Sequence, residues 1–301
     1  MKILITGGTV FVSKSFAQYF VSHNCEVYVL NRNTRPQVEG VHLIECDRRA
    51  VGDKLKDKFF DAVIDVNAYT AEDVNALLDS VGGFGQYILI SSSAVYPQTL
   101  QQPFKESDEC GANIFWGNYG LNKIAAESAL AERVSEAYII RPPYLYGEFN
   151  NVYREAFVFD CAQRDRVFYL PGEGQMPLQF FYIGDLCRFV DIILKVRPRQ
   201  KIFNVGNAPV TVREWVTACY AAVGKEVKFF NVSEIYEQRS YFPFYNYGYV
   251  LDTTLQNSIM PSLTPLAEGL RRAYEWYRCN RGDVKPKDYI KFIDENLKGR
   301  V

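Results

Sequence analysis

The sequence predicts an α/β protein: a doubly wound parallel sheet with a smaller α+β lobe toward the C-terminus. Three observations carry that prediction. Short apolar runs alternate with helix-length amphipathic segments through the first half of the chain. The first run passes at once into a glycine turn and then a helical pattern. Hydroxyl, phenol and amine side chains gather just beyond the later runs, at the edge where such a sheet presents its ligand.

The first strand is Ile3-Leu4-Ile5, followed by Gly7-Gly8-Thr9 and a helical pattern of Phe11, Phe16, Tyr19 and Phe20. A helix start after a glycine turn offers unpaired N–H groups and partial positive charge to a pyrophosphate. This predicts a Rossmann-type dinucleotide site at Gly7, Gly8, Thr9, Phe11 and Val12. The second strand, residues 25–30, ends in Asn31-Arg32-Asn33-Thr34-Arg35. An acid at that end would hold the adenosine ribose and repel a 2′-phosphate. Asn31 followed by Arg32 and Arg35 suits the phosphate and favours NADP over NAD, although loop arginines are also commonly just solvated. A third strand over 41–48 contains Asp47, and a fourth over 60–68 ends in Asn67-Ala68. A helix over 71–81 stops at Gly82-Gly83. The fifth strand, 87–90, runs into Ser91-Ser92-Ser93-Ala94-Val95-Tyr96.

Tyr119 and Lys123 then open the next helix, four residues apart and about one turn from each other. A free phenol has a pKa of about 10, and a neighbouring ammonium favours the phenolate, bringing it toward the range useful for acid–base work.

Composition excludes several classes. The 301 residues are 48% hydrophobic and 23% charged with a net charge of −1, which leaves no electrostatic footprint for nucleic acid or an anionic membrane. The glycines at 7 and 8 come too early for a signal-peptide core, and no apolar run reaches the roughly 18 residues of a membrane span. The seven cysteines are scattered without a Cys-x-x-Cys pair, as expected of idle thiols in a reducing, cytoplasmic setting. His23 and His42 share no ligand spacing, so no metal site is expected.

Ser91-Ser92-Ser93-Ala94-Val95-Tyr96, Tyr119-x-x-x-Lys123 and Arg141-Pro142-Pro143-Tyr144-Leu145-Tyr146-Gly147 form an ordered set. It resembles the extended short-chain dehydrogenase/reductases, the NAD-dependent epimerase/dehydratase family. The resemblance continues through Phe180 to Leu186, Phe203-Asn204-Val205-Gly206 and Glu268-Gly269-Leu270. It departs at Val10 and Ser13, where the family's glycine motif has its second and third glycines.

The resemblance implies a bound NAD or NADP. It implies Asp47 as the carboxylate that receives the adenine amino group, and Asn67 and Ala68 as the turn passing the cofactor ribose, with Pro142 also at the cofactor. It implies Tyr119 as acid/base, Lys123 as its electrostatic partner and ribose ligand, and Ser92, or Ser93, as the hydroxyl that binds the substrate oxygen. The Asp-Glu pair of the 4,6-dehydratases falls on Ser93 and Ala94, so elimination is not expected. The expected activity is epimerisation of a nucleotide-activated sugar through a keto intermediate. An NADP-linked ketoreductase or dehydrogenase is the alternative, and a non-catalytic binding or regulatory protein is the rival from another class.

The family's diphosphate-clamping arginine falls on Leu178, with Arg154, Arg164 and Arg166 as possible substitutes. The aromatic stretch 241–249 suits either the core of the smaller lobe or ring stacking on a ligand. The expected division is a dinucleotide-binding domain over 1–148, with segments near 178–208 returning to it, and a substrate lobe over 149–301. Helices near 71–81 and 117–134 are expected to pair in a homodimer.

Overall fold

The computed structural model describes residues 1–233 and 235–298. In chain order the first elements are β1 (Lys2–Thr6), α1 (Phe11–Ser22), β2 (Glu26–Asn31), β3 (His42–Glu45), β4 (Phe59–Asp65), α2 (Ala71–Ser80), β5 (Gly83–Ile90), α3 (Asn118–Arg133) and β6 (Tyr138–Arg141). Next come β7 (Tyr144–Tyr146), α4 (Glu155–Gln163), β8 (Phe168–Pro171), β9 (Pro177–Leu178), β10 (Phe180–Tyr182), α5 (Ile183–Val196) and β11 (Ile202–Asn204). The last are β12 (Val210–Thr211), α6 (Val212–Val223), β13 (Phe229–Val232), α7 (Thr254–Ile259), α8 (Leu266–Cys279) and α9 (Tyr289–Asn296).

The chain divides into two compact units, the first made of Met1–Pro143, Ile183–Gly206 and Leu251–Ser262. The second return, Leu251–Ser262, is a segment the sequence pattern does not single out. This unit holds a seven-stranded sheet in the order β11-β6-β5-β4-β1-β2-β3, parallel throughout. A parallel sheet is covered on both faces, so its strands read as continuous apolar runs rather than alternations. Ile3, Leu4, Ile5, Val63, Ile64, Ile88 and Leu89 are accordingly all fully buried.

Strand order reverses between β1 and β4, which makes the crevice beyond their carboxyl ends the expected ligand position. The β1 end carries the glycine turn and the β4 end carries Asn67-Ala68. α2 stops where the glycines predict, and its start is fixed by a capping box between Thr70 and Asp73. β5 begins at Gly83, four residues before the apolar run that announces it, because Gly83 and Phe84 already pair with Phe59 and Phe60.

The second unit comprises Tyr144–Tyr182, Asn207–Val250 and the chain from Leu263. It contains three two-stranded pairs, β7–β10, β9–β12 and β8–β13, with α4, α6, α8 and α9. Its core is aromatic: Trp215 is fully buried and stacks on Phe180 at 5.3 Å. Phe244, from the aromatic stretch, meets Trp215 edge-on at 5.1 Å and packs against Tyr144 and Phe242. Of the two uses that stretch could have had, these residues serve the core.

Candidate active site

The glycine turn is built from two residues at which a side chain would be strained. Gly7 and Gly8 have φ of +94° and +103°, in the region that favours glycine. A Cβ on Gly8 would lie 2.6 Å from Val29 Cγ1, and one on Gly7 would lie 2.7 Å from Ser13 Oγ. Val10, at the N-cap of α1, makes no side-chain capping bond, so the first-turn N–H groups keep their capacity for an anion. Ser13 turns its hydroxyl back to the Val10 carbonyl at 2.9 Å. A glycine turn of positive φ packed against Ser13 and Val29, beside a helix start without a side-chain cap at the sheet's switch point, fits a dinucleotide diphosphate.

The loop after β2 divides its work. Asn31 Nδ2 donates to the Gly7 carbonyl at 2.7 Å and to Gln37 Oε1 at 3.0 Å, while its Oδ1 accepts from Asn33 N and Gln37 Nε2. With its amide bonded on both sides, Asn31 is a brace between the loop and the glycine turn. Arg32 and Arg35 are exposed, and among the described residues neither guanidinium has an ion-pair or hydrogen-bond partner. Asp47 is exposed, and its Oδ1 receives the Arg49 N–H at 2.9 Å.

Beyond the sheet's carboxyl edge, α3 lies close against the Ser93–Val95 turn. A Cβ on Gly120 would come within 2.5 Å of the Ala94 carbonyl oxygen, so the glycine after Tyr119 permits this approach. The three serines separate by role. Ser91 is buried and its hydroxyl donates to the Glu127 carboxylate. Ser93 is buried, with its N–H on the Pro142 carbonyl at 2.9 Å. Ser92 is half-buried, and its Oγ accepts from Ala94 N at 3.2 Å. Its hydroxyl hydrogen meets no acceptor among the described residues, so of the two candidates Ser92 has a proton to offer a ligand.

Tyr119 and Lys123 are unlike in environment despite their shared helix. Tyr119 is 42% exposed, whereas Lys123 is 2% exposed and reaches inward. Lys123 Nζ donates to the carbonyls of Ala68 at 2.8 Å and Ile90 at 3.0 Å, which ties the ends of β4 and β5 together and leaves one of its three hydrogens. Burial lowers its pKa to about 8, with the carboxylates of Asp65 and Glu127 offsetting part of that effect.

Tyr69 joins the pair: its ring lies 5.2 Å from Lys123 Nζ and 6.5 Å from the Tyr119 ring. The sequence reading misses Tyr69, although its place directly after Asn67-Ala68 was a usable signal. Behind these residues, Arg141 bonds Glu127 at 2.6 Å and the Tyr96 hydroxyl at 2.8 Å, and Tyr96 donates to Asn204 at 2.8 Å. Ser91 and Tyr96, Arg141, and Asn204 from the Phe203–Gly206 segment thus meet Glu127 of α3 in one buried network that holds the strand ends in place.

The sequence model of the NAD-dependent epimerase/dehydratase family matches residues 3–206, about two thirds of the 301-residue chain. The chain belongs to that family. Solved structures of similar fold include a UDP-glucose 4-epimerase from Thermotoga maritima, with a TM-score of 0.74 and 18% identity over 93% of this chain and 100% of that one. A dTDP-glucose 4,6-dehydratase from Bacillus anthracis, in complex with NAD, has a TM-score of 0.73 and 16% identity over 95% of this chain and 99% of that one. Among curated proteins, a chloroplast stem-loop binding protein of 41 kDa from Arabidopsis thaliana is 28% identical over 268 residues, 81% of this chain and 70% of its own.

As a member of an NAD-dependent epimerase/dehydratase family, the chain departs from the pattern in its second unit as well. Leu178, at the position of the diphosphate-clamping arginine, is buried on β9 opposite Val210. Of the substitutes, Arg166 is engaged by Asp294 at 2.5 Å, and Arg154 stands 5.0 Å over the Tyr144 ring.

Proposed function

We propose that the protein is an NAD(P)-dependent epimerase of a nucleotide-activated sugar, with Tyr119 as acid/base. The observation that carries this reading is Lys123. A buried ammonium costs folding free energy, and this one sits between the ends of β4 and β5, one helical turn from a half-exposed phenol. Gly7, Gly8 and the start of α1 would hold the dinucleotide, whose nicotinamide would supply reversible hydride transfer at the substrate carbon. Tyr119 removes the substrate hydroxyl proton as that carbon becomes a keto group, and gives it back on return. Lys123 favours the phenolate and offers its remaining hydrogen to the cofactor ribose. Ser92 donates to the substrate oxygen, where one hydrogen bond to developing charge contributes about 3 kcal/mol once water is excluded.

Elimination is not expected, because the buried Ser93 and Ala94 supply no carboxyl group for it. Tyr119→Phe should lower turnover by at least about a thousandfold while nucleotide affinity stays within about twofold. Unchanged turnover would remove Tyr119 from the mechanism. The unpartnered Arg32 and Arg35 support NADP. Arg32→Ala should then weaken NADP about tenfold and leave NAD unchanged, and equal affinities in the wild type would count against the preference.

A second reading is stem-loop RNA binding, favoured by the name of the Arabidopsis relative, with the site kept for nucleotide-regulated binding. Native mass spectrometry of the purified protein separates the two. A retained nicotinamide dinucleotide with no RNA supports the enzyme, and co-purifying RNA supports the alternative.

A further inference from the structure

At the switch point, the loop after β3 sends an arginine under the cofactor turn. Arg48 Nη1 and Nη2 bond the two oxygens of Asp65, both at 2.9 Å, at the end of β4. Asp65 is fully buried and also accepts from Thr6 Oγ1 at 2.8 Å and Tyr87 OH at 2.6 Å, so its position is fixed from β1, β5 and the loop after β3. The same guanidinium reaches the Asp73 carbonyl at 2.7 Å.

One contact remains. Arg48 Nη1 donates to Asn67 Oδ1 at 2.6 Å. A guanidinium has only donors, so the oxygen of the Asn67 amide must face it and the Nδ2 group must face away. The direction in which Nδ2 then points is informative. A methyl group built on Gly7 would stand 3.8 Å from Asn67 Nδ2, which places the amide nitrogen beside the glycine turn. Among the described residues its hydrogens meet no acceptor, while the backbone N–H of the same residue is held by Thr6 Oγ1 at 3.3 Å.

We propose that the Asn67 side chain is a hydrogen-bond donor to the diphosphate of the dinucleotide, and that Arg48 is the positioning residue that aims it. This rests on the cofactor reading above and gives the turn a donor beyond its backbone N–H groups. The group recognised is a phosphate oxygen. An anion held between the uncapped start of α1 and Nδ2 receives hydrogen bonds from both sides of the crevice, one from the β1 side and one from the β4 side. Arg48 itself stays paired with Asp65, so its charge is already matched and its task is orientation.

The test is nucleotide affinity, measured by calorimetric titration of the intact protein with NAD+, NADP+ and ADP-ribose. Asn67→Asp keeps an acceptor for Arg48 but has no N–H to give, so its melting temperature should match the wild type. Its dissociation constants should rise about tenfold to a hundredfold, the range of a hydrogen bond to a charged acceptor. Asn67→Ala should lose about tenfold. Arg48→Met should weaken binding several-fold on its own and add no further loss when combined with Asn67→Ala. Wild-type affinity in a stably folded Asn67→Asp protein overturns the proposal, as does an equal effect of Arg48→Met in both backgrounds. Failure of the wild type to take up any of the three nucleotides would instead bring down the cofactor reading beneath it.

Discussion

Replacing Lys123 by methionine turns its burial into a measurable slope. The ammonium is 2% exposed, and burial, partly offset by Asp65 and Glu127, lowers its pKa from 10.5 to about 8. That difference of about 2.5 units, at about 1.36 kcal/mol each, means that folding with the charged amine costs about 3 kcal/mol. The sign follows from proton counting. Between pH 8 and 10.5 the unfolded chain binds a proton at this residue that the native state has released, so stability rises with pH across that window. Below it both states are protonated and the cost is constant.

Methionine has no proton to lose and keeps an unbranched apolar stem. It also strands the carbonyls of Ala68 and Ile90, at about 1–3 kcal/mol each, but that loss does not vary with pH and cancels in the slope. Urea unfolding of both proteins from about pH 7 to about pH 10 should show the wild type gaining on Lys123→Met by about 1 kcal/mol per pH unit above 8. A flat difference would refute the buried charge. A difference that falls with pH would mean that the site stabilises the ammonium, contrary to the role argued for burial.

Two further outcomes follow from the geometry. Gly8→Ala forces a methyl group to within 2.6 Å of Val29 Cγ1 at a φ of +103°, so thermal melting should show a loss of about 1–3 kcal/mol. A titration with NAD should show binding abolished in that variant. Glu127→Ala leaves the Arg141 guanidinium, whose side chain is 4% exposed, without its carboxylate, and urea unfolding should register about 3–5 kcal/mol.

What was legible in the sequence was what depends on neighbours along the chain. The glycine turn, the helix start after it and the Tyr119–Lys123 spacing are local patterns; β1 and α2 stand where the sequence puts them, while β4, expected over 60–68, ends at Asp65 and leaves Asn67-Ala68 in the turn beyond it. Arg48 was not legible, since an arginine beside Asp47 in a loop reads as a solvated charge. Only the reversal of strand order brings it to Asp65, seventeen residues away. Tyr69 had a local signal in its place after Asn67-Ala68, but its partner ring and amine lie in α3, some fifty residues later. The start of β5 was misread because Gly82-Gly83 is a sound helix-stop signal, and sequence alone does not reveal that pairing with β4 resumes immediately.

The departures at Val10 and Ser13 are the strongest sequence argument for a family member that has lost its nucleotide, and the structure weakens that argument in a specific way. Ser13 is 7% exposed, lies against Gly7, and spends its hydroxyl on the Val10 carbonyl. The side chain is therefore taken up inside the turn, between helix and strand, where it closes the contact that a third glycine would have left to bare backbone. Val10 contributes no capping bond, so it does not consume the donors at the start of α1. The two glycines whose φ values demand glycine are still present. The changed positions are those where a small or apolar side chain can be absorbed, and the N–H groups that make a helix start attractive to phosphate keep their function.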